Sequence, residues 1–291
     1  MPDNSVVRQR FHELVDSGET LLVPGAANAL TARIIEDVGF SATYLTGAGI
    51  SNTYLGMPDI GLLTLQELAA HVSAVNNVVD TPLIADADTG FGNAVNTWHT
   101  VRVLERAGAS AIQIEDQTFP KRCGHFDGKA TIAAEEMVEK IHAAVEARSD
   151  PHLLVIARTD ARYELGLDEA CRRARMYREA GAEITFVEAP QTEEEIEQIA
   201  KEVEGPKVLN IVQGGKTPAL SLDRAQELGF SILLYANLPL LVSLHAVHGA
   251  LERLRVDGNA DGSPDRATWE QRQSYVRKEQ FDEMSERYKF D

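Results

Sequence analysis

One pattern of apolar and polar positions occurs four times between residues 32 and 235 of the chain. In each copy an amphipathic, helix-like segment ends at a glycine, and a short apolar run follows within a few residues. Glycine closes a helix there because it adopts the left-handed backbone conformation without strain. Such a repeat predicts a parallel sheet with crossover helices. The copies span residues 32–45, 101–114, 174–187 and 224–235, with Gly39, Gly108, Gly181 and Gly229 as closing glycines.

Four further apolar runs lie between these copies and complete a set of eight predicted strands. They are residues 20–23, 82–85, 153–157 and 206–209. Eight strands that alternate with helices predict an α/β fold, the (β/α)8 barrel of the TIM type, over residues 1–255. A doubly wound open sheet is the alternative. It is disfavoured because no glycine fingerprint for a dinucleotide follows the first strand.

The end of the chain has a different composition. Residues 256–264 combine Gly, Asn, Asp and Pro, which is typical of a linker. A charged segment follows, with apolar side chains at Trp269, Tyr275, Phe281, Met284 and Tyr288. We therefore predict that residues 256–291 form a linker and a C-terminal helical arm rather than a second domain.

Composition and charge narrow the classes of partner. Of 291 residues, 28 are Lys or Arg and 45 are Asp or Glu, so the formal net charge is −17. This charge repels phosphate backbones and anionic lipids, so we expect neither nucleic acid nor a membrane as partner. An anionic substrate would need a locally positive pocket. The two cysteines do not suggest a disulfide framework. We see no apolar run long enough to cross a membrane and no signal peptide at residues 1–4. These observations predict a cytoplasmic, soluble protein.

Polar side chains follow nearly every predicted strand at its carboxyl end. In a (β/α)8 barrel the catalytic groups cluster at that end, so an unbroken series of this kind indicates a site rather than ordinary surface loops. From the second strand to the eighth, the series is Thr46, Gly47 and Ala48; Asp86 and Asp88; Glu115; Arg158; Glu188; Asn210; and Asn237.

Asp86 and Asp88 form a candidate metal site. Side chains alternate along an extended segment, so the two carboxylates are expected on one side, with Glu115 nearby. Mg2+ takes one or two carboxylates directly and keeps several of its waters. The alternative is a pair of turn-forming aspartates before Gly90, and the other polar strand ends favour the metal site.

Arg158 and the segment Thr46–Ala48 are candidate substrate ligands. A guanidinium binds a carboxylate through two parallel hydrogen bonds, so Arg158 could hold a substrate carboxylate. It could equally form a salt bridge at the barrel rim, to Glu188 or Asp160. The segment Thr46-Gly47-Ala48 offers backbone N–H groups and a hydroxyl to an anion, or is only a tight turn.

Cys123 lies in a segment with the chemistry of a reactive thiol. Lys121, Arg122 and His125 favour the thiolate, and Gly124 lets the backbone turn tightly. A buried cysteine that only packs is the alternative, but such a cysteine rarely has three basic or titratable neighbours. The second cysteine, on a helix between apolar and basic positions, is predicted to be structural.

Four motifs give the chain a family resemblance. They are Asp86 to Gly92 (DADTGFG), Ile114 to Gln117 (IEDQ), Lys121 to His125 (KRCGH) and Ala157 to Ala161 (ARTDA). In this order and spacing they resemble the isocitrate lyase/phosphoenolpyruvate mutase superfamily over nearly the whole chain. The resemblance implies a (β/α)8 barrel, a Mg2+ or Mn2+ ion, cleavage of a carbon–carbon bond in a 2-hydroxy acid, and tetramers whose C-terminal helices swap between subunits.

The resemblance also implies roles for individual residues. Cys123 would protonate the departing carbanion as general acid. We predict separately that its segment is mobile and closes over the bound acid. Lys121, His125 and Glu115 complete the catalytic set. Metal ligands would be Asp86 and Asp88 directly, with Asp59 and Glu115 through water. The substrate ligands would also include Gly124, Glu188, Asn210, Asn237 and Pro239.

The choice among lyases depends on two departures from the pattern. Methylisocitrate lyases continue the cysteine motif with Arg-Pro-Asn, where this chain has Phe126-Asp127-Gly128, and they carry an arm arginine near the position of Trp269. Fewer cations predict a smaller dicarboxylate, so we expect a lyase of the 2,3-dimethylmalate type that releases pyruvate and a short carboxylic acid. A 2-methylisocitrate lyase, an oxaloacetate hydrolase and a catalytically silent dicarboxylate-binding barrel stay open.

Overall fold

A computed structural model describes residues 3–122, 124, 128, 130–259 and 266–290. The chain divides into two compact units, residues 1–238 and 239–291. The first unit is a closed barrel of eight parallel strands in sequence order, as predicted. The strands are β1 (Leu21–Ala26), β2 (Thr43–Leu45), β3 (Leu83–Asp86), β4 (Ala111–Glu115), β5 (Leu154–Thr159), β6 (Ile184–Val187), β7 (Lys207–Asn210) and β8 (Ile232–Tyr235).

Helices connect the strands on the outside of the barrel. All four glycines of the sequence repeat have a positive φ, between 72° and 110°, so their predicted role at helix ends is confirmed. The helices of this unit are α1 (Asn4–Asp16), α2 (Ala29–Val38), α3 (Gly47–Ile50), α4 (Leu65–Asn76), α5 (Ala94–Ala107), α6 (Ala134–Ala147), α7 (Ala161–Leu165), α8 (Leu167–Glu179), α9 (Glu193–Glu202) and α10 (Leu222–Glu227), and a π-helical turn spans Ser51–Leu55.

The inside of the barrel is a packed core. Every strand contributes alternate apolar residues to it, among them Val23, Ile84, Ile156 and Ile232. Phe11 of α1 belongs to the same cluster and is fully buried. The other apolar face of the strands packs against the surrounding helices in two further clusters. Since apolar side chains fill the barrel, its polar groups gather at the carboxyl ends of the strands.

The second unit is helical. It contains α11 (Leu238–Asp257), α12 (Trp269–Tyr275) and α13 (Lys278–Arg287), and residues 260–265 of the predicted linker lie outside the described residues. α11 continues through residue 255, so the predicted division between barrel and arm at that point stays a prediction. Among the described helices, not one has both the length and the apolarity that crossing a membrane requires.

Candidate active site

The barrel topology brings most of the predicted site residues to one pocket at the carboxyl ends of the strands. Because neighbouring parallel strands end at the same edge, residues far apart in sequence meet there. The pocket is lined by ten of them: Thr46, Ala48, Asp59, Asp86, Lys121, Gly124, Arg158, Glu188, Asn210 and Asn237. Tyr44, Phe186, Val212, Leu234 and Ala236 add apolar or aromatic surface.

For three predicted residues the structure gives no test. Pro239 belongs to the second unit, so its predicted role stays a prediction. Cys123 and His125 lie outside the described residues, so their predicted roles stay predictions. Their neighbours Lys121 and Gly124 are described and line the pocket.

Asp86 and Asp88 converge, although by a different geometry from the one expected. The argument from an extended segment is wrong at Asp88, whose φ of 47° puts it in the left-handed region. The two carboxylates nevertheless meet over Gly47. A Cβ added there would lie 3.2 Å from Asp86 Oδ2 and 3.3 Å from Asp88 Oδ1. The turn at Asp88 therefore aims its side chain toward that of Asp86.

The Asp86 carboxylate accepts hydrogen bonds from the side chain of Gln113 and from the Gly47 N–H. Gln113 of β4 is buried, and its Nε2 donates to Asp86 Oδ1 at 3.2 Å. The Gly47 N–H donates to Asp86 Oδ2 at 3.3 Å. Burial, and then the Asp86 charge, raise the pKa of Tyr44 well above its usual range, so the Tyr44 hydroxyl stays neutral near Asp86. Sequence reasoning missed Gln113 and Tyr44, although strand alternation places both on the barrel interior, two residues before Glu115 and Thr46.

Lys121 is a buried counter-ion between two carboxylates. Its Nζ lies 2.5 Å from Asp59 Oδ1 and 2.8 Å from Asp88 Oδ1, the latter as an ion pair without hydrogen-bond alignment. Burial opposes the charged ammonium, but the charges of Asp88 and Asp59 outweigh it and raise the pKa of Lys121. Burial also raises the pKa of Asp88, to about 7, against the effect of Lys121.

Arg158 forms the rim salt bridges that were the alternative to a substrate contact. Its Nε and Nη2 donate to the two carboxylate oxygens of Asp160 at 2.9 and 3.1 Å, and Nη1 lies 3.6 Å from Glu188 Oε2. The guanidinium also stacks over the Phe186 ring, 5.2 Å from its centroid. Gly124 packs here, since an added Cβ would clash with Arg158 Nη2 and lie 2.7 Å from Glu188 Cγ. Binding of a substrate carboxylate by Arg158 stays a prediction.

The site carries an excess of negative charge. Among the described residues it contains six buried carboxylates and two buried cations, Lys121 and Arg158, so its formal negative charges outnumber its positive ones. Burial raises the pKa of Glu115 well above its usual range, although Arg158 lowers it, and Glu115 Oε1 accepts no hydrogen bond from the described residues. The carboxylates are Asp59, Asp86, Asp88, Glu115, Asp160 and Glu188.

These features fit a hydrated divalent cation. The described part of the chain groups no three His, Cys, Asp or Glu side chains as a preformed metal cage. Two convergent carboxylates, Asp86 and Asp88, are nevertheless the number that Mg2+ takes directly while it keeps its waters. A dication there would offset much of the negative charge in the pocket.

Cys171 is buried on α8, as predicted for a structural cysteine. Burial raises the pKa of its thiol to about 11, so it remains protonated at pH 8. We expect iodoacetamide at pH 8 to label one thiol rapidly in the folded protein, Cys123, and two after unfolding in guanidinium. Rapid labelling should vanish in Cys123→Ser. Equal labelling rates for both thiols in the folded protein would contradict the predicted reactivity of Cys123.

Comparison with known proteins identifies the family of the chain. The family model described as phosphoenolpyruvate phosphomutase matches residues 11–255. The chain is 44% identical over 256 residues to 2,3-dimethylmalate lyase of Eubacterium barkeri, covering 88% of this chain and 89% of that protein. It is 46% identical over 248 residues to 2-methylisocitrate lyase of Aeropyrum pernix, covering 85% and 80%.

A solved structure extends the similarity to the whole chain. A crystal structure of 2,3-dimethylmalate lyase, described as a member of the PEP mutase/isocitrate lyase superfamily, matches with a TM-score of 0.92 and 32% identity. The match covers 99% of this chain and 96% of that one. Sequence and structure therefore agree on one group of relatives.

Proposed function

Because the chain belongs to the phosphoenolpyruvate phosphomutase family and is a carbon–carbon lyase of its superfamily, we propose that it cleaves a 2-hydroxy dicarboxylate of the 2,3-dimethylmalate type. The products would be pyruvate and a short carboxylic acid. One observation carries the substrate class: the described pocket offers two basic side chains, both already paired with carboxylates, beside apolar Phe186, Val212 and Leu234. Such a lining suits methyl groups better than a third carboxylate.

Asp86 and Asp88 would hold a Mg2+ or Mn2+ ion, with Asp59 and Glu115 in contact through water. The ion, when bound, would polarise the substrate oxygens and stabilise negative charge that develops on them. Lys121 lies between Asp59 and Asp88 and offsets part of the negative charge that these carboxylates bring to the site. Gln113 of β4 orients Asp86 through its side-chain amide.

The remaining residues would bind and protonate the substrate. Arg158 would exchange part of its pairing with Asp160 and Glu188 for a substrate carboxylate. Thr46 and Ala48 would face the same anion, whereas the Gly47 N–H serves Asp86. Cys123 would deliver a proton to the carbanion left by carbon–carbon cleavage, with Lys121 and His125 controlling the thiol. Glu188, Asn210 and Asn237 would complete the walls of the pocket.

We also propose self-association, as a tetramer with exchanged C-terminal arms. The second unit exposes apolar side chains that a monomer would leave in water, including Val242, Leu244, Val247, Leu251 and Trp269. A cytoplasmic location and the absence of nucleic-acid and membrane partners stay predictions from composition.

The test is a steady-state assay with Mg2+ on three substrates. We expect pyruvate release from 2,3-dimethylmalate with a kcat/KM at least about tenfold above that for 2-methylisocitrate, and little consumption of oxaloacetate. A chelator should abolish turnover, and added Mg2+ should restore it. Preference for 2-methylisocitrate would support the tricarboxylate alternative, and preference for oxaloacetate the hydrolase. Binding of pyruvate without turnover of any substrate would support the silent barrel.

A further inference from the structure

Gln117 uses both ends of its side-chain amide on the backbone of one residue. Its Nε2 donates to the Arg122 carbonyl at 2.8 Å, and the Arg122 N–H donates to its Oε1 at 2.9 Å. Gln117 is buried. The amide therefore pairs with Arg122 as a neighbouring strand would, and displacing Arg122 means breaking two partly buried hydrogen bonds to a buried side chain.

Gln117 itself stands on a fixed support. The segment around it pairs with residues 130–132: Thr118 N–H donates to the Ala130 carbonyl at 2.9 Å, and Ile132 N–H to the Asp116 carbonyl at 2.9 Å. The Asp116 side chain accepts hydrogen bonds from four groups in the barrel wall. These are the Thr159 hydroxyl, the Asp160 N–H, the Arg173 guanidinium and the Tyr177 hydroxyl. The position of Gln117 is therefore set by the barrel.

Arg122 directly follows Lys121 in the sequence, so a contact that holds the Arg122 backbone also restrains the backbone of Lys121. The Lys121 ammonium reaches Asp59 and Asp88 only if its backbone stays where it is, because both contacts are short and buried. We propose that Gln117 is a positioning residue: by holding Arg122, it fixes the direction from which Lys121 enters the pocket. The effect on turnover rests on the proposed function, whereas the effect on the backbone does not.

A role in packing alone does not account for the choice of glutamine. Leucine would fill a similar volume without any polar atom to satisfy, and burial of an amide is unfavourable unless both ends are bonded. Here both ends are bonded, to the donor and the acceptor of the same residue. Glutamate would keep the acceptor for the Arg122 N–H but place a second oxygen against the Arg122 carbonyl.

The test compares Gln117→Leu and Gln117→Glu with Thr118→Val, a neighbouring change at an exposed hydroxyl. Residue-resolved hydrogen exchange should show the Arg122 amide exchanging about 10–100-fold faster in Gln117→Leu, and an intermediate increase in Gln117→Glu. The kcat should fall by about 10–100-fold in Gln117→Leu and by less in Gln117→Glu. The affinity for pyruvate should stay within about threefold of the wild type, because misplaced groups lower turnover more than binding. Thr118→Val should match the wild type in the exchange rate of the Arg122 amide, in kcat and in pyruvate affinity.

Each result decides the proposal. Unchanged hydrogen exchange at the Arg122 amide in a folded Gln117 variant would show that the Gln117 side chain does not hold the Arg122 backbone. Faster exchange with unchanged kcat would show that Lys121 is positioned by other contacts. Should Gln117→Leu not fold, the isosteric Gln117→Glu gives the same comparison. A wild type without lyase activity would remove the proposed function, and the exchange measurement would still decide whether Gln117 holds Arg122.

Discussion

Replacement of Arg173 by methionine is expected to lower the free energy of unfolding by about 3–5 kcal/mol, because it leaves a buried carboxylate without its cation. Arg173 Nη1 lies 3.0 Å from Asp116 Oδ2 and donates to the Ile132 carbonyl at 2.9 Å. Methionine keeps the length of the side chain but supplies neither charge nor donors. Asp116 would then depend on neutral donors in a fully buried position.

The neighbouring arginine is a matched control. Arg172 lies on the same helix, pairs with the same Glu169, and is largely exposed. Arg172→Met should change stability by less than about 0.5 kcal/mol, because an exposed ion pair contributes little. Urea unfolding of the two variants gives the comparison. A loss below about 1 kcal/mol in Arg173→Met would mean that Asp116 does not need this cation.

The second large effect is expected at Cys123. Cys123→Ser should lower kcat by about 10²–10⁴-fold, because a hydroxyl is a much weaker acid than a thiol, while pyruvate should still bind. Cys171→Ala removes the other thiol from a buried helix position and should leave kcat within about twofold. Steady-state kinetics and calorimetric titration with pyruvate separate turnover from binding. A Cys123→Ser enzyme with more than a tenth of wild-type kcat would exclude the thiol as the essential acid.

The barrel could be predicted because its signals are local and repeated. An apolar run of four or five residues, followed by a helix and a glycine, is legible without tertiary contacts, and eight such runs leave few topologies. The pocket followed from the same pattern, since parallel strands bring their carboxyl ends together. Seven of the predicted strand-end residues therefore line one pocket, although they span nearly two hundred positions of sequence.

Pairing inside the pocket could not be predicted in the same way. Whether Arg158 meets Asp160, Glu188 or a substrate depends on distances of a few ångströms that spacing does not encode. The left-handed turn at Asp88 has no glycine to announce it. Gln117 lies in a recognised motif, but the partner that explains it is a backbone group, which leaves no trace in the pattern of side chains.

The packed interior of the barrel also affects how ligands reach the pocket. Phe11 and the alternate apolar residues of the strands fill the axis from the amino end, and the described pocket lies at the carboxyl ends of the strands. In the proposed reaction, the substrate and both products would enter and leave at that end. A product that lingers there blocks the next substrate, so product inhibition should be competitive for whichever fragment departs last.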